Sequence, residues 1–167
     1  MRKIYGAQER QDGLYRIGRK KWQLIFGFFR DSKDGESGYN YRETFDYKPS
    51  TEEIVRVIKE QVNADVDAKI LSGFSWRGMP VWLSTENQFN YKAAYDMAVQ
   101  TGGASLPKKF KFGTDDKPEY FVFETLEDFS DFFISAMTFV DSTLGDGWDL
   151  KDSVTDDEGN LLIPVYE

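Results

Sequence analysis

The sequence predicts a single α+β domain, an antiparallel β-meander and hairpins packed with three or four α-helices. Three observations carry that prediction. The first 48 residues are β-rich and punctuated by turns. Capping residues stand at Ser50 and Ser84, each just ahead of an apolar-periodic run. Leu126, Phe129, Phe133, Ala136, Met137, Val140 and Leu144 keep the three-four spacing of an amphipathic helix.

Taken in order, Leu14–Ile17 and Trp22–Phe29 read as strands separated by a turn at Gly18, and Arg30–Gly38 (RDSKDGESG) reads as a loop. Tyr39–Tyr47 alternates, with Tyr39, Tyr41, Glu43, Phe45 and Tyr47 on one side, which suits a meander with one buried face. Pro49 stops that strand. Ser50 and Glu53 form a capping box for a helix whose stripe is Ile54, Val55, Ile58 and Val62. The apolar phase breaks at Asn63-Ala64-Asp65, so a kink or a second short helix is expected through Ile70 and Leu71.

Gly73–Trp76 and Met79–Leu83 flank Arg77-Gly78 as a hairpin with a two-residue turn, and Pro80 belongs at an edge. Ser84 caps a helix over Thr85–Gln100 that Gly102-Gly103 ends. Lys109–Phe112 and Tyr120–Phe123 form a second hairpin. Thr125 with Asp128 starts the last helix, and Gly145-Asp146-Gly147 is expected to terminate it. Asp152–Glu158 reads as a loose acidic segment and Leu161–Val165 as a short closing strand. The organisation expected is a strand meander over 1–48, a helix-hairpin-helix-hairpin-helix core over 49–148 and an acidic tail over 149–167.

Composition removes functions more readily than it assigns one. The 167 residues include no cysteine and no histidine. Disulfides, thiolate or imidazole metal ligation, and Ser-His-Asp or Cys-His catalysis are therefore excluded. Acid-base work would fall to a tuned carboxylate, lysine or tyrosine. The net charge of −8 argues against whole-surface attraction to nucleic acid or anionic lipid. The basic runs Arg16–Lys21 and Lys108–Lys111 read as solvated strand faces. No apolar run reaches membrane-spanning length, and the amino terminus shows no signal core, so synthesis in a cytoplasm is expected.

Candidate chemistry is sparse. Trp22, Trp76 and Trp82 could line a sugar platform, although scattered tryptophans more often fill cores. Asp141–Asp149 (DSTLGDGWD) lacks the ligand register of a calcium loop. The acidic pairs Glu52/Glu53, Asp115/Asp116, Glu127/Asp128 and Asp156/Asp157 sit at helix starts or turns, where structural roles suffice. No phosphate-binding glycine motif is present. No catalytic residue, metal or cofactor is expected.

The Thr85–Gln100 helix carries two apolar ridges where a surface helix needs one. Phe89, Ala93 and Met97 form the first; Tyr91, Ala94, Tyr95, Ala98 and Val99 form the second. Either the helix is sandwiched within the domain, or its second ridge meets another subunit.

The strings YNYRETFDYKPSTEEI, KILSGFSWRGMPVWLSTENQFNYKAAYDMAVQTGGASLPKKFKFGTD and FETLEDFSDFFISAMTFVDSTLGDGW resemble a group of uncharacterised proteins encoded by phages and prophages of gut Bacteroides-type bacteria. The likeness spans roughly residues 39–148, and its layout is similar to tail-associated, tail-fibre-assembly-like phage domains. The resemblance implies a non-enzymatic structural or accessory protein of the tail or baseplate region. It would be made in the host cytoplasm and pass to the virion tail. It brings no catalytic residues.

Partners would then be other virion or tail proteins, or further copies of this chain, rather than nucleic acid or membrane. The expected contact residues are Trp76 and Arg77 at the hairpin tip and Tyr91, Tyr95 and Val99 on the helix's second ridge. Two alternatives remain open: an acidic module that binds a host factor, and a carboxylate-based carbohydrate-active enzyme.

Overall fold

A computed structural model describes residues 1–31 and 38–167. Most of the loop expected over Arg30–Gly38 lies outside the described residues. The fold is α+β, with three helices and mainly antiparallel strands among the described residues. The chain divides into two compact units, Met1–Asn63 with Trp148–Glu167, and Ala64–Gly147.

The first unit holds a sheet of β1 (Arg2–Ala7), β2 (Gly13–Arg16), β3 (Trp22–Phe29), β4 (Gly38–Phe45) and β9 (Val165–Tyr166), in the order β1-β4-β3-β2-β9. The expectation of one buried face needs correcting. Leu24, Ile25 and Phe26 are successive residues of β3 and all are buried, so this central strand is covered on both faces. In β4, Tyr41 and Phe45 are buried as the alternation requires, but so is Asn40, whose Oδ1 accepts from Arg42 Nε at 3.0 Å.

β1 has no counterpart among the expected elements. Its residues pair with β4 through the backbone, and nearly all of them are exposed, so no burial periodicity announces it. Nor is the acidic tail loose. Asp156 Oδ1 accepts the amides of Glu158 and Asn160 at 3.0 and 2.7 Å, and side-chain and backbone bonds from Asn160 hold its carboxyl below the usual range. Val154 and Ile163 are buried on either side of that turn, and β9 runs parallel to β2.

Helix α1 (Thr51–Ser72) is continuous, so the expected kink at Asn63-Ala64-Asp65 does not occur. The phase break has another origin. Ile54, Ile58 and Val62 serve the first unit's core, while Ile70 packs in the second's. Ser50 Oγ accepts the Glu53 amide at 3.2 Å as a cap should, but the Glu53 carboxylate takes the Tyr47 hydroxyl at 2.6 Å instead of returning to the cap.

The second unit contains two hairpins and α2 (Thr85–Gln100), with α3 (Leu126–Asp152) supplying its largest buried face. β5 (Phe74–Trp76) and β6 (Met79–Val81) join through Arg77-Gly78, both at positive φ (48° and 82°), the two-residue turn expected. β7 (Lys108–Gly113) pairs with β8 (Pro118–Phe123). The core is aromatic: Phe112, Phe123, Phe129 and Phe132 are buried with Trp76 and Tyr91, their rings in stacked, tilted and edge contacts.

α3 does not stop at Gly145-Asp146-Gly147. Neither glycine adopts the positive φ that ends a helix, and the backbone bonds continue to Ser153 N–Asp149 O at 3.0 Å. Gly147 is itself buried. The helix carries two glycines, each costing about 1 kcal/mol relative to alanine; Val140 and Thr143 are buried ahead of them and Val154 just beyond its end.

Candidate functional site

The segment LSTENQ sets the position of α2, and the polar groups in it that could look functional are committed to the helix start. Ser84 Oγ accepts the Asn87 amide at 3.2 Å. Asn87 Nδ2 donates to the Trp82 carbonyl and Gln88 Nε2 to the Leu83 carbonyl, both at 2.8 Å. These amides close the turn that brings the chain from β6 into the helix. Gly102 and Gly103, at φ 59° and 89°, close the other end, with Gly103 N donating to Ala98 O at 2.8 Å.

With both ends fixed, the rotation of α2 decides which ridge meets the core, and it is the second. Tyr91 is 3% exposed, edge-on to Phe110 at 5.0 Å and to Phe132 at 5.2 Å. Burial pushes its hydroxyl pKa up to about 12. Tyr95 stacks on Phe133 at 4.6 Å and its hydroxyl accepts from Ser130 Oγ at 3.3 Å. Ala98 is buried in the same core and Ala94 packs half-buried against it. The first ridge faces water instead, with Phe89 70% and Met97 57% exposed and Ala93 exposed between them. The sandwiched arrangement is therefore not what α2 adopts, and the ridge offered to a partner is the opposite of the one expected.

Of the five residues expected to make contact, Trp76 and Tyr91 lie in the core and cannot serve from the surface. Tyr95 is half-buried against α3. Arg77 is exposed but engaged: its guanidinium reaches Asp128 at 2.7 Å and lies over the rings of Trp76 and Phe121. It fastens the β5–β6 tip to the first turn of α3. Val99 is exposed as expected.

Phe89, Ala93 and Met97 are visible in the sequence as a ridge, one that a sandwiched helix would place inside. The signal that separates the two ridges is polar interleaving. On a helical wheel Glu86, Asn90, Asp96 and Gln100 fall among Phe89, Ala93 and Met97, whereas the arc of Tyr91, Ala94, Tyr95 and Ala98 is nearly free of charge. Lys92 and Asp96, paired at 2.7 Å, flank the outer ridge.

Two hollows adjoin this face. One, about 460 Å³, runs between α2 and β7 and is lined by Asn90, Ala93, Met97, Lys108 and Phe110 among others. The other, about 710 Å³, is lined by Trp82, Asn87, Lys111, Phe112, Thr114 and Asp115 among others. Trp82 is 52% exposed there, while Trp22 and Trp76 are buried, so no ladder of exposed indoles exists among these three. Among the described residues Asp115 is the one carboxylate lining this hollow, and a two-carboxylate hydrolysis needs a pair about 5–9.5 Å apart. Among the described residues no cluster of acidic side chains could hold a metal ion, and no helix is long and apolar enough to cross a membrane.

No family model, curated protein or solved structure matches this chain.

Proposed function

We propose that this chain is a non-enzymatic structural or accessory protein of phage origin, from the tail or baseplate region, that works by adhering to other proteins through the outer face of α2. The carrying observation is the uncovered apolar ridge of Phe89, Ala93 and Met97 on a helix whose opposite face anchors an aromatic core. Burying one such large side chain gains about 1.5–3 kcal/mol, so a ridge of this kind held in water favours association. The phage origin is supported by the sequence likeness over roughly residues 39–148.

Immobilised protein offered disrupted phage particles in parallel with host lysate tests the reading. The expected result is retention of one particle tail protein, reduced at least about tenfold by Phe89→Asp, as for loss of an interface anchor. Retention of a single host protein and nothing from the particle would favour the alternative suggested by the −8 charge, an acidic module for a basic host factor.

A further inference from the structure

From the residue order on its outer ridge, we infer that α2 pairs with α2 of a second copy of this chain, antiparallel, about a twofold axis at Ala93. This rests on the reading of that ridge as adhesive and names its occupant, so that the particle protein retained through it would be this same chain. A surface that pairs with itself must be self-complementary under reversal. Phe89 and Met97 each stand four residues from Ala93, about 6 Å along the axis. Reversal about Ala93 therefore sets each Phe89 level with Met97 of the second copy, giving two identical ring–thioether layers, a favourable contact for sulfur. Ala93 at the centre, with the smallest side chain of the ridge, lets the helices approach. Met97 of the second copy then lies between Phe89 and Asn90, at the mouth of the hollow that Asn90, Ala93 and Phe110 line.

The charges follow the same reversal. Glu86 comes level with Gln100 of the second copy and Asn90 with Asp96. Lys92 and the second copy's Asp96 lie on the same flank, two residues apart along the axis. The two intramolecular Lys92–Asp96 pairs, one in each copy and both partners substantially exposed, can thus be exchanged for two intermolecular ones. A parallel pairing would instead set Glu86 against Glu86 and Asp96 against Asp96. Electrostatics selects the antiparallel register.

The absence of cysteine from the chain makes a direct test available. Helix axes about 8–10 Å apart with Cα radii near 2.3 Å bring the two Ala93 Cα atoms within reach of a disulfide, whose Cα separation is about 4.4–6.8 Å. Under mild oxidation Ala93→Cys is expected to form a covalent dimer in high yield, and Ser142→Cys on the exposed surface of α3 is expected not to. Sedimentation of the wild-type chain at about 100 µM is expected to show a dimer. Phe89→Asp and Met97→Asp, each checked for a native circular-dichroism spectrum, should each weaken it at least about tenfold.

A wild-type chain that stays monomeric overturns the inference. So does a dimer indifferent to both aspartate substitutions, or a yield of covalent dimer from Ala93→Cys no greater than from the Ser142→Cys control. If the chain is monomeric while Phe89→Asp still abolishes capture of a particle protein, the inference alone fails and the adhesive face stands.

Discussion

The two faces of α2 are built from similar materials and meet opposite fates. The inner face commits two tyrosines and two alanines to a core of four buried phenylalanines. The outer face carries a phenylalanine, an alanine and a methionine into water. Hydrophobicity alone does not distinguish them. The inner residues succeed because α3 and β7 present rings at about 5 Å for the tyrosines to meet edge-on or stacked. The outer residues have polar neighbours on their own helix and no ring contact among the described residues. The difference separates residues that fold the second unit from residues free to act outside it.

Substitutions should respect that division. The largest effect belongs to the inner face: Tyr91→Ala empties a site among Phe110, Phe112 and Phe132 and should cost about 3–5 kcal/mol of stability, read from urea or thermal unfolding. A cost below about 1 kcal/mol would mean that the inner face does not anchor the unit.

Ser84→Ala comes next. It removes the oxygen that accepts the Asn87 amide and should cost about 1 kcal/mol, since the side-chain amides of Asn87 and Gln88 continue to hold the turn. The same thermal unfolding experiment checks it.

A smaller effect sharpens the comparison by pH. Burial raises Tyr91 to about 12, while an unfolded tyrosine ionises near 10. The core accepts only the neutral phenol. Its contribution is therefore intact below about pH 10 and declines as the pH rises from there toward about 12, where the unfolded chain has already released the proton. Tyr15 and Tyr47 in the first unit are raised as well, so some alkaline loss should persist. Tyr91→Phe should reduce the fall in melting temperature above about pH 10, and an unchanged alkaline limb would contradict the burial of the hydroxyl.

What is local was legible in the sequence, and what depends on a neighbour was not. The Arg77-Gly78 turn, the caps at Ser50, Ser84 and Thr125, and the Gly102-Gly103 stop rest on backbone rules that need no tertiary context. Both boxes built on an acid are half-boxes for the same reason in reverse. Glu53 is drawn to Tyr47 and Asp128 to Arg77, partners that spacing along a helix cannot show. β1 is invisible because its pairing is made by backbone groups. The phase break in α1 is a change of core, which resembles a kink in a pattern of letters. Gly145 and Gly147 resemble a stop, but a glycine ends a helix in this way only where the chain turns left-handed, and these two remain helical.

For the candidate site, the two ridges of α2 were legible, but the tyrosines outweighed the cue that assigns them. The tyrosines suggested an interface because such amphipathic rings suit one. Here they are needed inside, where their rings meet phenylalanines at near right angles and the Tyr95 hydroxyl still finds Ser130. Choosing between the ridges required weighing the polar residues interleaved with Phe89, a cue present in the letters.

The most direct test of the division between the faces is a paired measurement on Phe89→Asp: thermal unfolding, and association by sedimentation together with capture of particle proteins. The expected result is a melting temperature close to that of the wild type and association weakened at least about tenfold. A melting temperature lowered as much as by Tyr91→Ala, or association left unchanged in both assays, would contradict it.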